Sequence, residues 1–428
     1  MTILIKNAYI LTMSASDEII ESGCVLIEGE KIVFVGEKEN LPETHADRVI
    51  EACGNIIMPG FVNAHTHLPM TIFKGYGEGL PLDRWLNEKI WPAEDRLTPE
   101  ISYWSSLLGL IEMVKSGTTA FLDMYMGYDG FADAVKASRM RATFTRAIVD
   151  FGDGSGDRLE DSEALYRKYH GVGNLSVMMS LHGEYTCTES TARKVVDMAK
   201  DFGTGIHVHV SETRAEHEGA VQRHGLTPFG FLNKVGAADV PLAAAHCVHV
   251  TDKDIARMAE KNVSVLSCPQ SNLKLGSGIA PVAKMLAAGV NVAVGTDGSS
   301  SNNNLDMIEE TMLVSLLQRG VSQNASAVSD MQALKMATCG GAKALGKAGE
   351  IGQIQPGFLA DIIMIDTTGI AFTPKNDWIS CILNSGNGRD VAMTMIGGEI
   401  VFENGNVNFA DEAQTKEKVN NFAKQICL

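Results

Sequence analysis

Residues 243–298 read AAAHCVHV (243–250), TDKDIARMAEKN (251–262), VSVLSCPQSN (263–272), LKLGSGIA (273–280), PVAKMLAAGV (281–290) and NVAVGTDG (291–298). Three short apolar runs are separated by stretches with helical spacing, the second of which closes on Gly289. Apolar strands that alternate with amphipathic helices argue for a parallel sheet covered by helices. Working toward the N-terminus, the same rhythm recurs at GFVNAHTHL (60–68), TAFLDM (119–124), RATFTRAIVD (141–150), LSVMMSLHGE (175–184) and GIHVHVSE (205–212). Helical stretches such as ISYWSSLLGLIEMVKSG and ESTARKVVDMAKDFG lie between these runs. Eight β/α units over ~240 residues have the length and rhythm of a (β/α)8 TIM barrel. A doubly wound open sheet is the rival that strand counting alone leaves standing.

The two ends have a different texture. ILIKNAYIL, CVLIEGEKIVFVG and VIEACGNIIM at the start, and ADIIMID and AMTMIGGEIVFENGNV near the end, alternate like short strands, with turns at Gly397-Gly398 and Asn404-Gly405. The expected organisation is therefore an α/β chain in three stretches. Residues 1–57 and 347–428, the latter including a tail, form the two halves of a small composite β-sandwich domain around a barrel at 58–346.

Composition narrows the function. With 36 basic and 52 acidic residues the net charge is 36 − 52 = −16, which argues against non-specific binding to nucleic acid or an anionic membrane. The chain has no 18-residue apolar run, and MTILIKNAYILTM is broken by Lys6 and Asn7 in the manner of a strand rather than a signal peptide. Eight scattered cysteines without a C-x-x-C pair fit reduced thiols in the cytoplasm.

Polar residues interrupt the apolar strands at one end. His65 and His67, Asp123, His182, His209 and Glu212, His246, and Asp297 stand at or near the C-terminal ends of six runs, the face on which barrel active sites form. The i, i+2 spacing of His65 and His67 puts both imidazoles on one face of a strand, within reach of one metal, although two ordinary polar histidines would look the same. His207 and His209 are equally ambiguous, and only one of them need be a ligand. Asp297 ends its strand with a hard anionic ligand, while Asp-Gly is also common turn chemistry. Taken together, three imidazoles and one carboxylate from strands one, five and eight make a site with a position left for water. Strand four carries no lysine to bridge a second ion, so a single metal is expected.

PGFVNAHTHLPM, HVHVSE, AAHCVHV, SNLKLGSGIAPV and GTDGSSSNNNLDM resemble the amidohydrolase superfamily, in its mononuclear aminohydrolase branch. Within that branch they resemble the deaminases of 5′-methylthioadenosine and S-adenosylhomocysteine. The resemblance runs over essentially the whole chain and includes the ending GGEIVFENG. It implies one divalent metal, zinc with Fe2+ or Mn2+ as alternatives, on His65, His67, His209 and Asp297. Glu212 becomes the proton shuttle rather than a solvated loop charge. His246 becomes the partner of the attacking water or the developing oxyanion rather than a satisfied core histidine. His207 and His249 are left as core histidines. The implied reaction is hydrolytic deamination of an adenine nucleoside, 5′-deoxyadenosine or adenosine included, with Asp297 accepting the water proton and Glu212 protonating the ring nitrogen.

The same resemblance assigns substrate contacts. Trp85 would wall the purine and Glu94 would accept hydrogen bonds from a ribose diol, against helix packing and a solvated charge as the plain alternatives. His182 and Ser301 would touch the nucleoside. Arg146 and Arg158 would hold the carboxylate of a homocysteine tail, a task suited to bidentate guanidinium geometry, where a surface ion pair is the competing reading. One departure stands out: after His182 the family pattern has a small residue and proline, and this chain has Gly183-Glu184, which puts a negative charge beside the expected nucleoside site. A triazine or other heterocycle aminohydrolase or chlorohydrolase, and a non-catalytic barrel, are the competing functions. The expected partner is a small-molecule nucleoside, with no nucleic acid and no membrane, and the chain is expected to form a homo-oligomer.

Overall fold

A computed structural model describes residues 1–150 and 156–427. Eight parallel strands lie in sequence order around one sheet: Phe61–Thr66, Thr118–Tyr125, Arg141–Arg146, Leu175–Gly183, Ile206–Val210, Leu242–His246, Ser264–Ser267 and Asn291–Val294. Sequential order excludes the doubly wound alternative, in which the strand order reverses part-way. Val62, Ala120, Met178, Ala243, Leu266 and Ala293, from six different strands, pack in one cluster. The eighth strand returns to the first, the Thr296 and Asp297 amides bonding to Asn63 and His65, which closes the sheet into a barrel.

Five of the described helices between the strands start on threonines. Thr98, Thr188, Thr213, Thr227 and Thr251 each accept a hydrogen bond at Oγ1 from the backbone N–H three residues on, which satisfies an otherwise orphaned amide. Among the described residues no helix is long and apolar enough to cross a membrane.

The seam between the eighth and first strands is built differently from the rest. The Asn63 amide donates to Thr296 Oγ1 at 2.7 Å and accepts from the Thr296 N–H at 3.0 Å, while the Asp297 N–H donates to the His65 carbonyl at 2.9 Å. Gly295 makes this approach possible, because a Cβ there would stand 2.7–2.9 Å from the backbone N, Cβ and carbonyl O of His65.

The strands expected at the two chain ends share one nine-stranded sheet. Ile56–Pro59 joins them, running parallel to Thr2–Leu11 on one side and antiparallel to Ile362–Ile365 on the other. Ile3, Ile5, Val25, Met393 and Met395 form a core of their own there. The chain leaves Ile56–Pro59 and enters the first barrel strand one residue later, so this sheet sets where His65 begins its approach to the barrel mouth.

Candidate metal centre and substrate cleft

Strand ends deliver the polar residues through strained backbone. Ser211 follows the fifth strand with φ 48°, His246 and Cys247 end the sixth at 68° and 50°, and Asp297 follows the eighth at 60°. L-residues adopt this left-handed region rarely, and at strand ends it re-aims a side chain from the barrel wall toward its axis.

There the imidazoles crowd. The ring centroid of His65 lies 4.9 Å from that of His67, 5.1 Å from His209 and 5.3 Å from His246. Asp297 Oδ1 stands 3.5 Å from His65 Nε2 and 3.2 Å from His67 Nε2. Ligand atoms of His65, His67 and Asp297, and separately of His65, His209 and His246, fall within 4.8 Å of one another. His65 Nε2 is buried and has no hydrogen-bond partner. An unpartnered buried imidazole nitrogen among other imidazoles and a carboxylate is the donor set a divalent cation takes.

Each ligand candidate is fixed from behind. His67 Nδ1–H donates to the Met124 carbonyl at 2.5 Å and His209 Nδ1–H to the His182 carbonyl at 2.6 Å, which turns both Nε2 atoms away from those carbonyls. Asp297 Oδ2 accepts from Ser271 Oγ at 2.6 Å and Ser301 Oγ at 2.9 Å, and its Oδ1 accepts from the Gly298 N–H at 2.8 Å. His65 Nδ1 meets His207 Nε2 at 2.9 Å.

Burial and Asp297 set the charges. Burial pushes His65 down to about 4 and His209 and His207 well below the usual histidine range. Burial presses hardest on His67, but the hydrogen bond and charge of Asp297, the Met124 carbonyl and Asp123 together outweigh it and lift the imidazole to about 9. Asp297 is held well below the carboxylate range, its own burial overcome by the imidazoles of His65 and His67 beside it. The bare site thus keeps a proton between His67 and Asp297, which a cation must displace on binding.

Glu212 sits beside these residues with its backbone clamped. The N–H groups of Ser211 and Glu212 each donate at 2.7 Å to the Glu216 carboxylate, one to each oxygen. Glu212 Oε1 accepts from Ser277 Oγ at 3.3 Å, and Oε2 lies 3.8 Å from His246 Nε2. Burial raises the Glu212 carboxyl above its usual range, opposed by His246. His246 is in turn oriented by Asn272, whose Oδ1 lies 2.9 Å from Nδ1.

A cleft opens above this floor. Trp85, Glu94, His182, Glu212, His246, Asp297 and Ser301 all line it, together with Trp91, Tyr125, Met126 and Tyr185. Trp85 and Glu94 come from one helical segment, Leu82–Trp85 and Trp91–Glu94, joined by a π-helical turn at Leu86–Ile90; such turns recur at functional sites. Tyr125 OH donates to Glu94 Oε1 at 2.8 Å, and burial lifts the Glu94 carboxyl to about 7. Burial pushes His182 down to about 4.

The arginines are placed otherwise. Arg146 Nη1 donates to the Ala147 carbonyl at 2.9 Å and Nη2 reaches Asp161 at 3.4 Å, while Arg158 Nη1 donates to the Val149 carbonyl at 2.5 Å. Neither guanidinium lines the cleft, although Ala147 and Val149, whose carbonyls they hold, do. Glu184 corrects the expectation of a free charge beside the nucleoside site. Its buried carboxylate is gripped by Arg223 through Nε and Nη2, at 3.1 and 2.8 Å, and by His224 Nε2 at 2.7 Å. The charge is neutralised by the helix Arg214–His224 and is not presented to the cleft. His249 Nε2–H donates to the Ser277 carbonyl at 2.8 Å and thereby supports the serine that holds Glu212.

The amidohydrolase family model matches residues 56–401. The chain belongs to the amidohydrolase family. Among amidohydrolase relatives, a 5-methylthioadenosine/S-adenosylhomocysteine deaminase of Moorella thermoacetica is 43% identical over 420 residues, covering 97% of this chain and 98% of the relative. One of the same name from Acetivibrio thermocellus is 43% identical over the full length of both chains. A zinc-bound adenosine deaminase structure from Xanthomonas campestris superposes with a TM-score of 0.95 at 30% identity, over 99% of this chain and 98% of that one. An atrazine chlorohydrolase of Arthrobacter aurescens shares the fold, at a TM-score of 0.90 and 24% identity over the whole of both chains.

Proposed function

We propose that this amidohydrolase removes the amino group of adenine nucleosides by hydrolysis, acting on 5′-methylthioadenosine and S-adenosylhomocysteine and releasing ammonia and the inosine analogue. The observation that carries the reading is that Glu212, His246 and Asp297 line one cleft together with Trp85 and Glu94. Relatives of that name at 43% identity over nearly the whole chain support the substrate class.

His65, His67, His209 and Asp297 would hold one divalent cation, zinc in our reading, and a bound cation supplies water acidified to near neutrality. The remaining work falls to side chains. Asp297 Oδ1 takes the proton leaving the water, since Ser271 and Ser301 hold the carboxylate as an anion through Oδ2. Glu212, its proton affinity raised by burial, carries that proton at Oε2 to the purine ring nitrogen next to the amino-bearing carbon. That carbon becomes tetrahedral, and Glu212 then takes the second proton of the former water from the new hydroxyl and passes it to the departing amine as the C–N bond breaks, leaving the carbonyl and ammonia. His246 Nε2, facing Glu212 and fixed by Asn272, donates to the oxygen that gains charge. Trp85 and its apolar neighbours exclude bulk water from the ring, and Glu94 accepts from the ribose hydroxyls.

We place the enzyme in the cytoplasm as a homo-oligomer acting on small molecules, consistent with eight free cysteines and a net charge of −16. Residues 58–346 carry the chemistry in this reading, and 1–57 with 347–428 the companion sheet. A panel of methylthioadenosine, S-adenosylhomocysteine, 5′-deoxyadenosine, adenosine and a chlorotriazine tests it, with ammonia, chloride and metal content measured on the same sample. Ammonia from the nucleosides is expected; chloride release without ammonia would overturn the proposal.

A further inference from the structure

Three histidines of the proposed metal set face one another through Nε2, and two of them owe that orientation to a backbone carbonyl directly behind Nδ1. His65 has no such carbonyl. Behind its Nδ1 stands another imidazole, His207 Nε2 at 2.9 Å, and behind His207 Nδ1 stands Thr145 Oγ1 at 3.1 Å. Thr145 Oγ1 in turn donates to the Asp123 carbonyl at 2.9 Å. The geometry points to a tautomer relay in which Thr145, through His207, forces the proton of His65 onto Nδ1 and presents Nε2 as the lone pair for the metal.

The deduction runs from the far end. A peptide carbonyl only accepts, so the single hydroxyl proton of Thr145 goes to Asp123. Toward His207 the hydroxyl must therefore accept, and His207 carries its proton on Nδ1. His207 is fully buried, and its hydrogen-bond partners are one imidazole and one hydroxyl. Neither is a carboxylate that could compensate a buried imidazolium. With one proton placed on Nδ1, neutral His207 accepts at Nε2, and the donor at 2.9 Å is His65 Nδ1–H. His65 Nε2 is left bare, and it is this nitrogen that is buried without a partner. A carbonyl three hydrogen bonds away thus does for His65 what Met124 and His182 do for His67 and His209. Thr145 is a positioning residue: it touches neither metal nor substrate. His207 becomes part of the metal support rather than inert packing.

The inference rests on the metal reading above, and its test separates the two. Thr145→Val removes the hydroxyl and keeps the β-branched shape; Thr145→Ser keeps the hydroxyl and removes the methyl. Zinc affinity is measured by competition with a chelator, and the His65 tautomer by 15N NMR of histidine-labelled, metal-free protein, with His65→Asn assigning the signal. Loss of such an outer partner weakens metal affinity roughly 10- to 100-fold. That loss is expected for Thr145→Val, with near-wild-type affinity for Thr145→Ser and the His65 proton on Nδ1 in the parent. Unchanged zinc affinity in Thr145→Val overturns the relay. Equal losses in both variants overturn it too, since they would mean that packing is responsible. A His65 proton on Nε2 in the parent does the same. If the parent takes up no zinc, the metal reading fails, and the NMR arm alone decides the relay.

Discussion

The floor of the cleft and its rim are held by different kinds of partner. At the floor, His67 and His209 lean on carbonyls of neighbouring barrel strands and Asp297 on two serines and an amide. At the rim, Arg146 and Arg158 lean on carbonyls of the loop just after the third strand, and Trp85 and Glu94 ride on a helical insertion broken by a π-helical turn. The floor is therefore rigid to the degree that the barrel is. The rim is as rigid as one loop and one helical segment. In such a design the chemistry is fixed by the scaffold and the choice of substrate by what is attached to it.

Changes at the floor should be the most severe. His65→Ala or His67→Ala should lose metal and turnover together, as measured by metal analysis and ammonia release; stoichiometric metal in both variants would remove them from the ligand set. Glu212→Gln should keep the metal and lose turnover by ~10²–10⁴-fold, the range of general acid–base catalysis. A near-normal rate would put the proton carrier elsewhere.

At the rim the effects should be smaller and selective. If Arg146 or Arg158 uses its remaining guanidinium nitrogens on an amino-acid carboxylate, its replacement by alanine should penalise S-adenosylhomocysteine over methylthioadenosine by roughly 10- to 150-fold in kcat/KM, the worth of a charge-assisted hydrogen bond. Equal losses on both substrates would mean that the arginines serve only Ala147 and Val149, and the contrast between floor and rim would sharpen.

The smallest effect concerns pH. Glu94 has its carboxyl raised from 4.5 to about 7, so the folded chain binds this proton more tightly than the unfolded one. The resulting stability is full below about 4.5 and is lost as pH rises through about 7. Glu94→Gln, whose amide oxygen still accepts from Tyr125, should lose less stability than the parent between pH 5 and pH 8, by roughly 2–3 kcal/mol in denaturant titrations. Parallel pH profiles would show that Glu94 is ionised throughout.

Legibility in the sequence followed the same division. A strand displays its own period, so His65-x-His67 and the polar residues at the ends of apolar runs point to the barrel mouth from the sequence alone. The supports behind them were hidden. Ser271 and Asn272 come from a single helical turn, Pro269–Lys274, and nothing in that turn's spacing marks it as facing Asp297 and His246. Glu216 reads as an ordinary first-turn helix acid, yet both of its oxygens hold the strained turn before Glu212. Glu184 looked like a stray charge because Arg223 and His224, its partners, lie 39 and 40 residues further along the chain. His207 looked inert because burial is visible in a pattern of apolar neighbours and a hydrogen-bond chain is not.

The seam of the barrel has a mechanical consequence. Elsewhere neighbouring strands are joined by backbone ladders, but the first and eighth are joined through the Asn63 side chain, Thr296, the Thr66 hydroxyl and the amide of Asp297. His65 and Asp297 stand on its two lips. An ion gripped by both would act as a buckle across that seam, and its affinity would become resistance of the wall to springing open. At a free concentration about a hundred times the dissociation constant, that buckle would add about 2.7 kcal/mol to the closed form. Occupancy would then be readable as slower hydrogen exchange of the Thr296 and Asp297 amides, with no turnover measured at all.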